Sequence, residues 1–470
     1  MIMKLHYSIG TDEEIERIQE ESLRILSEVG VVFHCAEAIE ILKNAGAKVE
    51  ENIVYINREM VENALKTVPQ SFEWYGRGGD KVVIGEGRTK NIPAYGPIYV
   101  LKEGKYEKAS HEHLVNFHKL HETSTVMDVS NPNVIDVSYI PPDIREKYRL
   151  GVALEYCKKP LMGLVEGKTV AEESLETMRR FYGVDCLEDK IIAVGLIDTM
   201  GPMRLSTSMA EALITYAKQG QALIICSGQT LGITAPQSMA GTFILGNAMI
   251  LAALVLSQVV RPGTPVVYCG KFDSADMRLS SGAAYGGIES LWSAATSARM
   301  ARYYNIPLHT GAGNTDSKLM DYQCGAETFM NLFSAYALDA DCVVHACGTM
   351  DSFNSIGYEK YILDEEKIES LEHMKQGYEI TDKTVMFDSI KQTGPAGQHF
   401  ERTQKSYRKD FVMPKLSIRD NHNSWIQAGS PSAESLATEV WKKRLEAYTK
   451  PEFDQDQLKI LETLLPERYR

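Results

Sequence analysis

Eight short apolar, β-branched runs recur along this chain, each followed by a turn and a helical stretch. They are IPAYGPIYV (92–100), VMDVSN (126–131), PLMGLVEG (160–167), IIAVGLIDTMG (191–201), ALIICSGQ (222–229), TPVVYCGKFD (264–273), IPLHTGAGN (306–314) and DCVVHACGTM (341–350). Their spacing, roughly 30–40 residues, is the length of one strand-plus-helix unit. The last six are almost continuously apolar, as parallel strands covered on both faces must be. Eight such units predict an α/β fold, a (β/α)8 TIM barrel. A doubly wound open sheet is the competing arrangement. It would carry a glycine-rich nucleotide fingerprint after its first strand, and neither GxGxxG nor GxxxxGK[ST] occurs.

The chain has 470 residues, more than a bare barrel needs. Residues 1–90 read as an N-terminal α+β cap. There TDEEIERIQEESLRILSEVG opens on a capping box (Thr11, Glu14), repeats Ile15, Ile18, Ile25 and Val29 at helical spacing, and ends at Gly30. Residues 91–365 hold the barrel, and 366–470 read as a charged C-terminal helical extension packed on it. The 50 Lys+Arg against 63 Asp+Glu leave a net charge of −13, which argues against a general nucleic-acid or membrane-surface role. No uninterrupted apolar run reads as long enough to span a membrane. Eight scattered cysteines without a CxxC read as buried thiols. The opening MIMKLHYSIGTDEEIER turns acidic before a signal-like core can form. The expected compartment is the cytoplasm.

In such barrels the site lies where the strands end. That rule selects Tyr95 and Tyr99 after strand one, Asp198 after four, Ser227 and Gln229 after five, Lys271 and Asp273 after six, His309 and Asn314 after seven, and His345 after eight. Tyr95 and Tyr99 offer π faces to a cation; the alternative for Tyr99 is packing between barrel and helices. His309 and His345, at the correct end of adjacent strands, are candidate donors to a carboxylate or other oxygen, weighed against satisfied core histidines. The ring shows no metal triad and no Ser-His-Asp order. HEHLVNFHKLHE (111–122) invites a zinc reading, but no Cys or HExxH supports it, and a solvated helix face is expected.

The densest polar stretch is LHTGAGNTDSKLMDYQCGAE (308–327). Asp316 is placed to cap the following helix, and Lys318 to pair with a neighbouring carboxylate. Gln323 and Glu327 share a helix face. Glu327, on an otherwise apolar helix, is either a carboxylate facing the site or a structural hydrogen-bond acceptor.

AGNTDSKLMDYQCGAE and LDADCVVHACGTMDSFNSIGYEKYILDEE resemble the trimethylamine methyltransferase superfamily. So do ESLRILSEVGVVF, NAGAKVEENIVYINREMVENALKTVPQSFEWYGR, AGTFILGNAMILAALVLSQVVRPGTPVVY and SIRDNHNSWIQAGSPS, so the likeness covers nearly the whole chain. The resemblance implies a (β/α)8 barrel that passes a methyl group from an amine to a cobalt corrinoid on a separate small protein. No cofactor would be held tightly by the chain itself, and no metal. The trimethylamine enzymes carry pyrrolysine before the SD/TD-x-K segment. Here that position is Asn314.

Co(I) attacks a methyl carbon in line and the amine leaves. Neutral trimethylamine would have to leave as an anion and needs prior activation. A quaternary ammonium leaves as a neutral tertiary amine and needs only a cage that orients one methyl and excludes water. Asn314 therefore predicts a quaternary substrate: glycine betaine, proline betaine, carnitine or γ-butyrobetaine. The expected roles are Tyr95 and Phe353 on the ammonium, with Trp292 or Tyr285 as further aromatic contacts. His345 and His309 would bind the carboxylate, His345 as a potential cation. Asn314 and Glu327 are the expected catalytic pair. The corrinoid partner would dock on the C-terminal face of the barrel, and barrels of this size are often homo-oligomers. Two rival classes are a cytoplasmic betaine-binding protein without turnover and a metal-dependent barrel hydrolase or aldolase. For an aldolase, Lys271 is the one strand-end lysine that could form a Schiff base.

Overall fold

A computed structural model describes residues 2–3, 5, 7–272, 274–278, 283–395, 400 and 411–466. Asp273, expected at the end of strand six, lies outside them. Eight parallel strand positions follow one another and close into a ring. The first is Lys90–Asn91, and the second is reduced to single bridges at Met127 and Ser130. Then come Leu161–Met162, Ala193–Met200, Ala222–Gly228, Val266–Cys269, His309–Gly311 and Cys342–Val344. Parallel pairing links neighbours, in three places through the bridges Asn91↔Met127, Ser130↔Leu161 and Tyr268↔Leu308. The eighth strand pairs back with the first, Cys342↔Lys90 and Val343↔Asn91. Helices His111–Thr123, Pro142–Tyr156, Lys168–Tyr182, Thr207–Lys218, Met239–Val260, Glu289–Tyr304, Tyr322–Ala337 and Tyr358–Gln376 follow the strands in turn. The fold is the (β/α)8 barrel that eight apolar runs require.

Ile92, Val129, Met162, Val194, Ile224, Val267 and Val344 fill the barrel interior. Phe72, Trp74 and Ile84, from the hairpin Phe72–Tyr75 and Lys81–Ile84, join that layer. Trp74 bridges Ile191 at the start of strand four, so the hairpin closes the N-terminal mouth and leaves the opposite mouth open.

Three sequence expectations change. IPAYGPIYV is not one strand. Pro93 and Pro97 cannot donate to a ladder, the chain turns at Gly96 (φ +81°), and Tyr99–Lys102 joins a separate small sheet with Lys105–Lys108 and Ser355–Gly357. Tyr99 is exposed there and lies outside the barrel mouth. Second, Met239–Val260 is long and apolar enough to cross a membrane, contrary to the reading that no run reaches that length, but 83% of its apolar window is buried. It packs between the barrel and the N-terminal cap, where Asn247 bonds Ser22, Tyr268 and Tyr304. Third, the helix Tyr358–Gln376 runs unbroken through residue 365, where the sequence reading set a boundary. The extension packs on this same helix. The Trp441 indole donates to Glu359 at 2.8 Å, and its ring lies 4.8 Å from that of Tyr358.

Candidate active site

Strand alternation turns every second side chain toward the axis. At the open mouth this series is Asp198 on strand four, Cys226 and Gly228 on five, Cys269 and Lys271 on six, and His309 and Gly311 on seven. Gly228 makes room for Asp198: a β-carbon there would sit 2.5 Å from Oδ1. That oxygen is buried without a hydrogen-bond partner in the protein, and burial lifts the carboxyl to about 6. Lys271 Nζ and Asn314 Nδ2 both lie 3.3 Å from where a β-carbon of Gly311 would be, so ammonium and amide converge over one glycine. Asn314 is 1% exposed, and neither amide atom bonds to the protein. An unsatisfied buried polar group costs about 1–3 kcal/mol, which marks this amide as one kept for a ligand.

His345 stacks on Phe353, ring centroids 4.2 Å apart at 16°, and the Phe353 ring lies 3.8 Å from that of Tyr285. The backbone that aims these rings is left-handed at His345 (φ 62°) and at three successive non-glycine residues, Asp351, Ser352 and Phe353 (φ 51°, 51° and 74°). Such conformations persist only where the surroundings enforce them. Burial, then the positive fields of His309 and Lys271, push His345 down to about 3. That keeps the ring neutral near pH 7, where a cation was expected. Among the described residues, the cation that converges with Asn314 is Lys271, which sequence reasoning considered as a Schiff-base candidate.

The polar loop after strand seven is a clamp. Asp316 Oδ1 accepts from the Tyr285 N–H (3.0 Å) and the Ser352 hydroxyl (2.6 Å), and Oδ2 from the Gly286 N–H (2.8 Å). It thus ties the exit loops of strands six, seven and eight together. The expected helix cap is instead Asp321, which accepts from the Cys324 N–H. Lys318 pairs with Asp351 at 3.0 Å. Glu327 accepts from the Thr315 hydroxyl (2.7 Å), the Asp316 N–H (2.8 Å) and Gln323 (2.9 Å). A β-carbon on Gly286 would lie 2.2 Å from its carboxylate. Both its oxygens are turned to this scaffold.

Tyr95 stands on the other side of the mouth. Its hydroxyl accepts from Asn133 at 2.9 Å, and Arg149 donates to the same Asn133. Burial, with the Glu166 charge, raises the phenol. Ser227 and Gln229 point away from the axis: Ser227 Oγ lies 2.5 Å from where a β-carbon of Gly246 on the fifth helix would be. His309 sits a level below the mouth, buried, with Nδ1 3.2 Å from the Cys342 carbonyl. Trp292 is on the sixth helix and half exposed. The helix carrying HEHLVNFHKLHE is not solvated on its histidine face. His118 and His121 are fully buried, both Nδ1 atoms on Ser130 Oγ (2.9 and 2.8 Å), because Leu114, Phe117 and Leu120 draw the same face inward.

A closed barrel whose open mouth gathers a carboxylate, an ammonium, an uncommitted amide and a stack of three rings is an enzyme of the (β/α)8 class, shaped for a small polar molecule. Comparison with known proteins narrows the class. The family model for trimethylamine methyltransferase (MTTB) matches residues 4–469, and the chain belongs to that family. It is 34% identical over 456 residues to the glycine betaine methyltransferase of Desulfitobacterium hafniense (strain Y51), covering 96% of this chain and 95% of that one. It is 32% identical to the proline betaine:corrinoid methyltransferase of Eubacterium limosum, covering 97% and 96%. The solved monomethylamine methyltransferase of Methanosarcina barkeri superposes with a TM-score of 0.54 at 14% identity, over 94% of this chain and 89% of that one, a likeness of fold.

Proposed function

We propose that this chain transfers a methyl group from a quaternary amine of the betaine type to Co(I) of a separate corrinoid protein. The observation that carries the reading is Asn314. A neutral, buried amide with no protein partner stands at the exit of strand seven, where the resemblance puts pyrrolysine in the trimethylamine enzymes. A quaternary ammonium needs no such electrophile, since its leaving group is neutral. The face of Tyr285, backed by Phe353, with Tyr95 opposite, holds the cation. The neutral N–H of His345, the Asn314 amide and the Lys271 ammonium meet the carboxylate. His309, with Nδ1 held by a backbone carbonyl a level lower, leaves the carboxylate set. Glu327 acts as a positioning residue through the loop that carries Asn314.

The corrinoid partner brings cobalt to the methyl group from above the mouth. Ile233, Met277, Ile288, Leu319 and Tyr322, all more than half exposed on the segments after strands five, six and seven, offer it an apolar landing. The reaction belongs in the cytoplasm, where the eight free cysteines stay reduced.

The test is methyl transfer. The protein is mixed with its corrinoid partner reduced to Co(I), and each of glycine betaine, proline betaine, carnitine, γ-butyrobetaine and trimethylamine is added alone. Methyl-Co(III) is followed by visible absorbance. Turnover with a betaine and none with trimethylamine is expected; turnover with trimethylamine alone overturns the reading of Asn314. His345→Ala is expected to weaken betaine binding by about ten- to a hundredfold, the worth of a hydrogen bond to a charged group. Calorimetric affinity equal to wild type would remove His345 from the carboxylate site.

A further inference from the structure

Three neighbouring strands each send one metal-ligating side chain to the same level of the barrel, directly beneath the proposed substrate pocket. Cys226 and Cys269 are direct partners in the ladder between strands five and six. His309 follows Leu308, which bridges Tyr268, so His309 stands beside Cys269 on strand seven. The two sulfurs and an imidazole nitrogen all lie within 4.8 Å of one another. A tetrahedral zinc ion, with bonds of about 2.3 Å to sulfur and 2.0–2.1 Å to nitrogen, spaces its ligand atoms somewhat under 4 Å apart. The trio therefore closes on an ion with sub-ångström side-chain shifts.

We propose that Cys226, Cys269 and His309 form a thiophilic metal site, of the zinc class, at the floor of the barrel mouth. Two thiolates and a neutral imidazole bring the charge of a divalent ion to zero, which a buried site requires. Sulfur donors select zinc-like ions over magnesium or calcium. His309 has the second shell of a metal ligand: Nδ1 lies 3.2 Å from the Cys342 carbonyl, which fixes the ring and commits the metal to Nε2. Three protein ligands leave a fourth position open. One level up, Gly228 leaves space that Asp198 Oδ1 enters without a protein partner, so an oxygen ligand, water or a carboxylate, is the class that the fourth position takes.

This site is independent of the identity of the methyl donor, and its test does not use turnover. The full chain, reduced and freed of metal, is titrated with Co(II) and then Zn(II). Sulfur-to-cobalt charge-transfer bands with the visible bands of a tetrahedral ion are expected at one equivalent per chain, bleached by zinc. Cys226→Ser, Cys269→Ser and His309→Gln are each expected to weaken zinc binding by more than about 100-fold, since outer-shell changes alone cost about 10- to 100-fold. Cys186→Ser, exposed and ahead of the start of strand four, is expected to bind as wild type. Cadmium titration of the unaltered protein, read by thiolate-to-cadmium absorbance, gives the answer even if a variant does not fold. Absence of charge-transfer bands in the reduced wild type overturns the site, as does metal uptake that survives Cys269→Ser.

Discussion

Replacing Asp316 with alanine is expected to lower kcat/KM for betaine demethylation by about 10²-fold while leaving the barrel folded. One carboxylate receives the Tyr285 N–H, the Gly286 N–H and the Ser352 hydroxyl. Hydrogen bonds to a charged acceptor contribute about 1.5–3 kcal/mol each, and alanine removes all three together. The ring of Tyr285 lies against Phe353, which stacks on His345, so releasing loops six and eight moves the groups proposed to cage the ammonium. A misplacement of about 1 Å can cost about 10²-fold in rate. The loss falls on the site because the Asp316 carboxylate bonds exit-loop groups, at Tyr285, Gly286 and Ser352. Asp316→Asn keeps one acceptor oxygen for Tyr285 and Ser352 but turns an amide N–H toward Gly286, so partial recovery is expected. Steady-state methyl transfer, read beside a thermal melt, checks both. If Asp316→Ala turned over like wild type, the clamp would not be what aims the cage.

The barrel was legible in the sequence because it rests on one periodicity. Apolar runs such as IIAVGLIDTMG and ALIICSGQ can be buried on both faces only in a parallel sheet, and they became strands Ala193–Met200 and Ala222–Gly228. The rule that sites sit at strand ends selected Asp198, Lys271, Asn314 and His345, which the fold places at the open mouth. It could not separate axis-facing from outward-facing residues, so Ser227 and Gln229 were grouped with them. A shift of one residue in reading the alternation reverses the face. Spacing was equally blind to long-range pairs. Cys226, Cys269 and His309 are 43 and 40 residues apart in the chain, so no short motif links them; strand register alone makes them neighbours. Asp316 was misread for a related reason. A carboxylate shortly before a helix is ordinarily a cap, and only the tertiary fold shows that Asp321 takes that role and frees Asp316 to join three loops.

The buried histidines should make the fold acid-sensitive in a particular window. Burial pushes His118 down to about 3 and His121 well below its ordinary value, with the His118, Lys159 and Arg444 charges adding to the latter. Their Nε2 atoms are buried with no acceptor, so a proton there would be an uncompensated charge. The unfolded chain takes that proton near pH 6.5 and the folded one does not. The contribution of each histidine is therefore complete above about pH 6.5 and is lost as the pH falls from there toward 3. At about 1.4 kcal/mol per pH unit, His118 alone costs about 2–3 kcal/mol between pH 6.5 and 4.5, and His121 adds to it. That is a large share of the 5–15 kcal/mol that holds an ordinary domain. Asp198, lifted to about 6, and Glu146, also lifted to about 6 chiefly by burial, act oppositely and gain stability on protonation. They offset part of the loss, as do Asp128, Asp341, Asp364, Glu365 and Glu372, which burial also raises, while His345, pushed down to about 3, adds to it. His118→Asn keeps a polar atom near Ser130 and cannot titrate. Its unfolding free energy in urea should fall about 1.4 kcal/mol per pH unit less steeply than wild type between pH 6 and 4.5. Parallel curves for the two proteins would mean that His118 accepts its proton within the fold.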